Sequence, residues 1–210
     1  MTKVALFAGG VIDSFHLDFD VFIGVDRGSF FLLQQGIQPD MAVGDFDSVS
    51  SEELDGIRLK AKKVIQVASE KNDTDMELAV KMAFEYYPDA TVTIFGALGG
   101  RLDHTLSNIF LPSNSEIAPY MKQICLVNSS NKVIYCPQGR HEVKPVEGMN
   151  YLGFMPVGND ELKIEGAKYP LNKTNFFFKK VYGSNEFIDK PVFLECTSGY
   201  VVIIYSKDGD

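Results

Sequence analysis

Short apolar runs recur through the first 120 residues, and stretches of helical spacing separate them. Val4–Phe7, Val21–Val25, Met41–Val43, Val64–Val67 and Thr91–Phe95 read as strands. Between them, Gly28–Gln35, Ser50–Lys60, Asp75–Tyr87 and Leu102–Leu111 read as helices. The clearest is Asp75–Tyr87. Thr74-Asp75-Met76-Glu77 fits a capping box, and Met76, Ala79, Val80 and Ala83 form one apolar stripe. Alternating β and α elements imply a mainly parallel sheet flanked by helices on both faces.

The pattern changes after Asn114 and Pro119. Gln123–Val127, Lys132–Tyr135, Tyr151–Met155, Glu161–Ile164, Asn175–Phe178, Val192–Glu195 and Tyr200–Tyr205 follow as short β-rich runs, punctuated by Gly and Pro. No helical period interrupts them, which is the pattern of an antiparallel sandwich or partial barrel. The fold class expected is therefore α/β: an N-terminal parallel sheet with helices over residues 1–120, then an all-β sandwich domain over 121–210.

Composition narrows the function. The chain has 210 residues, 45% of them apolar, so it can bury a core without disulfides. It carries 28 acidic against 20 basic residues, a net charge of −8, which argues against nucleic acid and anionic membranes as partners. Cys125, Cys136 and Cys196 are odd in number and lack C-x-x-C spacing, which fits a reducing compartment. No apolar run is long enough to span a bilayer, and the opening Lys3–Gly10 reads as a buried strand ending in a Gly-Gly turn rather than a signal peptide. A cytoplasmic protein is expected.

Ligands of open α/β sheets bind beyond the carboxyl ends of the strands. Val25 is followed there by Asp26-Arg27-Gly28, and Val43 by Gly44-Asp45-Phe46-Asp47-Ser48. Val67 leads to Lys71-Asn72-Asp73-Thr74-Asp75, and Phe95 to Gly96–Gly100, Arg101, Asp103 and His104. Singly, each has a structural reading. Asp73 and Thr74 suit a helix cap, Asp103 a second cap, Asp26-Arg27 a turn ion pair, and His104 a first helical turn. Asp45-x-Asp47 is less easily dismissed, since alternation along an extended chain puts both carboxylates on one side. Two carboxylates 4 Å apart repel by about 4 kcal/mol at an effective dielectric of 20. Several gathered at one sheet edge call for a hard divalent cation, Mg²⁺ or Mn²⁺, and Mg²⁺ commonly keeps positions for substrate phosphates. The Gly96–Gly100 stretch supplies backbone amides suited to a phosphate, although it matches neither a Walker A loop nor G-x-G-x-x-G.

Taken in order and at this spacing, the four acidic segments closely resemble those of the thiamine pyrophosphokinase family. Gly183-Ser184-Asn185-Glu186 and Thr197-Ser198-Gly199-Tyr200, read as a closing hairpin, resemble that family's thiamine-binding domain. The resemblance implies transfer of pyrophosphate from ATP to the hydroxyl of thiamine, giving thiamine diphosphate and AMP. It also implies a homodimer in which thiamine lies between the α/β domain of one subunit and the β-domain of the other.

Carried onto this chain, Asp45, Asp47 and Asp75 would hold Mg²⁺, and Asp26 would lie near the thiamine hydroxyl or the metal. Arg27, Lys71, Asp73, Thr74, Gly99, Gly100, Arg101 and Asp103 would line the ATP pocket. Ser184, Asn185 and Tyr200 would contact thiamine, Tyr200 standing where many eukaryotic members present a tryptophan; this chain has none. The Gly10–Phe22 segment is short for the helix that normally follows the first strand.

Two other classes compete. Asp45-Phe46-Asp47-Ser48-Val49 also fits the D-x-D-x-T/V pattern of haloacid-dehalogenase-like phosphatases, in which Asp45 would be a nucleophile. No G-D-x-x-x-D follows, and a hydrolase gives the β-rich half no role. An EF-hand starting at Asp45 would need Gly and Glu where Ser50 and Gly56 stand, which removes that reading.

Overall fold

A computed structural model of the chain describes residues 1–70, 72–158 and 162–209. The chain forms two compact units, Met1–Asn128 and Ser129–Asp210.

The first unit is a parallel sheet with helices. In chain order it contains β1 (Lys3–Phe7), β2 (Val21–Val25), α1 (Arg27–Gln34), β3 (Met41–Gly44), α2 (Ser51–Lys60), β4 (Val64–Gln66), α3 (Asp75–Tyr86), β5 (Thr91–Phe95), α4 (Leu102–Ile109) and β6 (Ile124–Val127). The strands lie in the order β6-β5-β1-β2-β3-β4, and every adjacent pair is parallel. The strand order reverses between β1 and β5, which makes their carboxyl ends the topological switch point. Val4–Phe7 of β1 are fully buried, as a strand covered on both faces requires.

Local chemistry starts the helices where the sequence places them. Ser50 and Glu53 close a capping box on α2, and Thr74 and Glu77 close one on α3. The stripe of Met76, Ala79, Val80 and Ala83 is buried. The expected Leu102–Leu111 helix stops at Ile109 and passes into a 3-10 turn, Leu111–Ser113, because Pro112 lacks the N–H an α-helix needs. No helix joins β1 to β2. Residues 11–19 cross as irregular chain, and Ile12, Phe15 and Phe19 pack against Ala5, Phe7 and Phe95.

Ile124–Val127, expected in the β-rich half, is instead the outermost strand of the parallel sheet, pairing with Val92–Phe95. A strand of four residues does not announce whether its partner will be parallel.

The second unit is antiparallel: β7 (Asn131–Val143), β8 (Tyr151–Val157), β9 (Lys163–Glu165), β10 (Tyr182–Asn185) and β11 (Val192–Ser206). Two of these are long. Phe193–Glu195 of β11 lie between β7 and β9, whereas Tyr200–Ser206 lie between β7 and β8. One strand pair thus serves two sheets, whose inner faces share a core of Val143, Phe154, Ile164, Val192, Leu194 and Ile203. This is the expected sandwich.

Three local readings change. Val192–Glu195 and Tyr200–Tyr205 belong to one strand, so Thr197–Gly199 form a bulge within it rather than a closing hairpin. At the bulge Gly199 has φ +64°, and a Cβ there would lie 2.0 Å from the Val157 carbonyl oxygen. Asn175–Phe178 is not a strand, because Asn172 and Asn175 turn the chain by binding backbone. Asn172 Oδ1 accepts from the Thr174 N–H, and Asn175 Oδ1 from the Asn172 N–H. Tyr182–Asn185, not foreseen as a strand, is the edge strand beside β8.

Candidate active site

Four adjacent parallel strands and the loop after β4 deliver the polar residues to one edge of the α/β unit. β5 ends in Gly96–Gly100, β1 in Gly9-Gly10, β2 in Asp26, β3 in Asp45, and the loop after β4 leads to Asp73, Thr74 and Asp75. The glycines, Asp26, Asp45 and Asp75 line a cleft of about 760 Å³ together with Arg27, Asp47, Arg101, His104 and Asn108. A contiguous recess of about 420 Å³ adds Asp73, Thr74 and Asp103.

At its centre, one carboxylate oxygen from each of Asp26, Asp45 and Asp75 lies within 4.8 Å of the others. Strained backbone builds this arrangement. Asp26 has φ 47° and Phe46 φ 61°, left-handed values that side chains rarely adopt. The two are tied together, since Asp26 Oδ1 accepts the Phe46 N–H at 3.2 Å. The Phe46 ring is buried against Ala42 and Ile57, which anchors the turn. Gly44 precedes Asp45 because Asp26 occupies the space a side chain would need. A Cβ there would lie 1.8 Å from Asp26 Oδ1.

The turn at Phe46 also corrects the expected Asp45–Asp47 pair. The chain is not extended there, so Asp47 stays exposed at the cleft rim while its N–H donates to Asp45 Oδ1 at 3.1 Å. The third member of the tight cluster is Asp26. Burial, then the charge of Asp75, raise its carboxyl from the ordinary 3.8 to about 7. Asp45 and Asp47 add to this, and the Phe46 N–H opposes it. An all-carboxylate donor set is the kind that holds a hard divalent cation such as Mg²⁺.

The other expected residues take definite places. Arg27 Nη1 donates to the Ser48 carbonyl at 3.2 Å, linking the start of α1 to the Asp45 loop rather than pairing with Asp26. Thr74 caps α3 and also lines the recess. Gly99 and Gly100 take φ +96° and +73°, and α4 holds their loop: Thr105 Oγ1 donates to the Gly99 carbonyl and Asn108 Nδ2 to the Ala97 carbonyl, both at 3.0 Å. Arg101 and Asp103 form an exposed pair at 2.6 Å, and Asp103 sits in the first turn of α4 rather than capping it. Lys71 lies outside the described residues.

Gly9, Gly10, Thr105 and Asn108 escaped the sequence reading. The Gly-Gly after the first strand was the available signal, since backbone lines that part of the cleft.

In the β unit, Ser184 is exposed with φ 60°. Asn185 is 3% exposed and its amide is spent on backbone: Oδ1 accepts from the Tyr169 and Glu186 N–H groups, and Nδ2 donates to the Tyr169 carbonyl. Tyr200 is buried with its ring edge-on to Tyr135. Beside Asn185, a cavity of about 420 Å³ is lined by Tyr169, Phe177 and Tyr182.

A parallel α/β unit with a carboxylate cleft at its switch point, on one chain with a β-sandwich, defines a class of two-unit α/β enzymes. Within it, residues 13–121 match the family described as thiamin pyrophosphokinase, catalytic domain, and residues 140–201 match its vitamin B1 binding domain. A thiamine pyrophosphokinase of Bacillus subtilis is 36% identical over 191 residues, spanning 90% of this chain and 88% of its own. The crystal structure of a thiamin pyrophosphokinase family protein from Enterococcus faecalis aligns with a TM-score of 0.89 at 34% identity, covering 99% of this chain and 100% of that one. That of the Bacillus subtilis protein aligns at 0.80 and 33%, with coverages of 99% and 100%. The chain belongs to the thiamine pyrophosphokinase family. The phosphatase alternative is not favoured. Among the described residues, no helix is long and apolar enough to cross a membrane.

Proposed function

We propose that this protein transfers the pyrophosphoryl group of ATP to the hydroxyl of thiamine, giving thiamine diphosphate and AMP. The observation that carries the reading is the Asp26–Asp45–Asp75 cluster facing the Gly96–Gly100 loop at the switch point, inside the matched catalytic domain. Asp45 and Asp75, with Asp47 at the rim, would hold Mg²⁺, which when bound supplies charge neutralisation for the polyphosphate. Arg27, Asp73, Thr74, Gly99, Gly100, Arg101 and Asp103 all line the cleft or its recess and shape the nucleotide pocket, and Lys71 is assigned there from sequence.

In the transfer, the thiamine oxygen attacks the β-phosphorus. The new P–O bond forms as the bridging Pα–O–Pβ bond breaks, and AMP leaves with that oxygen. The hydroxyl proton goes to the Asp26 carboxylate, which lines the cleft beside Asp45 and Asp75. The backbone of Gly99 and Gly100, held by Thr105, fixes the donor.

Thiamine recognition falls to the matched vitamin B1 binding region. Ser184 presents an exposed hydroxyl on strained backbone and Asn185 holds that segment, while Tyr200 is assigned to thiamine by the family resemblance alone. Following the family resemblance, the protein works as a homodimer with thiamine between the α/β unit of one subunit and the β unit of its partner. It should therefore sediment as a dimer at micromolar concentration.

The test is product analysis with ATP, Mg²⁺ and thiamine against a thiamine-free control. Equal amounts of AMP and thiamine diphosphate, formed only with thiamine, are expected. ADP with thiamine monophosphate would move the attack to the γ-phosphorus, and thiamine-independent phosphate would restore the phosphatase.

A further inference from the structure

Asp73 has both carboxylate oxygens held by neighbouring side chains. Lys81, two turns into α3, donates to its Oδ2 at 2.9 Å, and Asn114 Nδ2 donates to its Oδ1 at 3.3 Å. Lys81 is only 18% exposed, and its ammonium also contacts Glu116.

Asn114 is fixed in turn. Its Oδ1 accepts the Glu116 N–H, its own N–H donates to the Leu111 carbonyl, and its carbonyl accepts from Ile117 and Ala118. The same Nδ2 reaches Glu77 Oε1 at 3.1 Å, and the other Glu77 oxygen accepts the Thr74 N–H in the capping box. One amide therefore grips both the residue before the helix and the carboxylate that caps it. Residues 73–75 are clamped from the far end of the unit, 41 positions away in sequence.

A cap alone needs only Thr74 and Glu77. Lys81 and Asn114 add a fixed orientation for a carboxylate that lines the recess, and they set the segment that carries Asp75 into the cluster. Side chains that aim a functional carboxylate in this way commonly matter about 10- to 100-fold.

We propose that Lys81 and Asn114 are positioning residues that act through Asp73, fixing it and the start of α3 for nucleotide binding and transfer. This rests on the assignment of Asp73 to the nucleotide pocket.

The test is a mutant cycle on the full chain with Lys81→Met, Lys81→Arg, Asn114→Ala, Asp73→Asn and the double variant Lys81→Met/Asp73→Asn. Three quantities are read: kcat and KM for ATP and for thiamine, Mg-ATP affinity by calorimetry, and Tm. Lys81→Met should lower kcat/KM for ATP about 30-fold and Asn114→Ala about 10-fold, with KM for thiamine unchanged. Lys81→Arg should recover most of the loss. Because both residues act through Asp73, the double variant should be no worse than Asp73→Asn within about twofold. Independent, multiplying losses, or no rescue by Arg in a protein of unchanged Tm, would overturn the proposal. If the wild type forms no product with thiamine, the functional reading falls, and the same cycle on Mg-ATP affinity decides this one. Additive effects there, or no nucleotide binding, would sink it.

Discussion

The α/β unit holds 18 acidic and 10 basic residues, whereas the β unit holds 10 of each, so the whole net charge of −8 sits in the first. The β unit spends its charges in exposed pairs such as Arg140–Glu165 and Lys168–Glu186. The α/β unit instead gathers carboxylates at one sheet edge, half-buried and beside strained backbone. Exposed pairs contribute little to stability and are spread without consequence. Like charges pressed together cost free energy, and a fold keeps such an arrangement where it serves a site. Among the described residues the non-glycine positions with positive φ are Asp26, in the cluster, Phe46, which turns the Asp45 loop, and Ser184 of the β unit.

The sharpest way to break this contrast is Asp45→Asn. It removes one carboxylate of the cluster and no packing, so turnover should fall by about 10³-fold or more with the fold intact. Product formation together with circular dichroism checks this, and a folded variant with near-normal activity would remove Asp45 from the site.

Gly44→Ala comes next. The new Cβ would collide with the Asp26 carboxylate, so activity should drop by about 100-fold and stability by about 1–3 kcal/mol. Gly183→Ala in the β unit meets nothing within 4 Å and should change Tm little. Equal effects in thermal melts would erase the difference between the units.

A third contrast lies in pH. The folded Asp26 carboxyl, at about 7, stands above its ordinary 3.8, so the folded protein holds a proton that the unfolded chain has lost. That stabilisation is complete below about pH 4 and disappears as pH rises through about 7, a loss of about 4 kcal/mol if Asp26 acted alone. In the β unit, Tyr205 is pushed up to about 12, chiefly by burial, and its hydroxyl donates to the Lys144 carbonyl; it stays neutral throughout. Metal-free protein should therefore lose Tm between pH 5 and 8. Mg²⁺ should restore more at pH 8 than at pH 5, and Asp26→Asn should flatten the slope. A slope unchanged in that variant would place its origin elsewhere.

The smallest effect expected is Asn185→Ala. Losing the bonds to Tyr169 and Glu186 should destabilise the β unit by about 2 kcal/mol while Mg-ATP affinity stays as it was. Chemical denaturation and calorimetry on the same sample separate the two.

The elements legible in the sequence were those whose cause is local. Both capped helices begin where Ser50 with Glu53 and Thr74 with Glu77 place them, and β1, β2 and β5 follow their apolar runs. The acidic residues were legible as strand-end motifs, and their order along the chain carried the family resemblance. What failed was long-range. Ile124–Val127 joined the parallel sheet because β5 offered an edge, and the run at 175–178 became a turn because asparagine side chains bound the backbone. Alternation from Asp45 to Asp47 presumes extended chain, whereas Phe46 has φ 61° and its buried ring holds a turn there.

Residue types, capping signals and the spacing of the acidic segments therefore determined by themselves the kind of fold, the family and the chemistry on offer. Only the tertiary structure brought Asp26 within 4.8 Å of Asp45 and Asp75, buried Asn185 and Tyr200 in the β unit, and let Asn114 reach back to Asp73. The physical reason is the same in each case. Propensity and capping act within a few residues, while which side chains meet depends on strand partners and backbone turns fixed by the packing of segments distant in sequence.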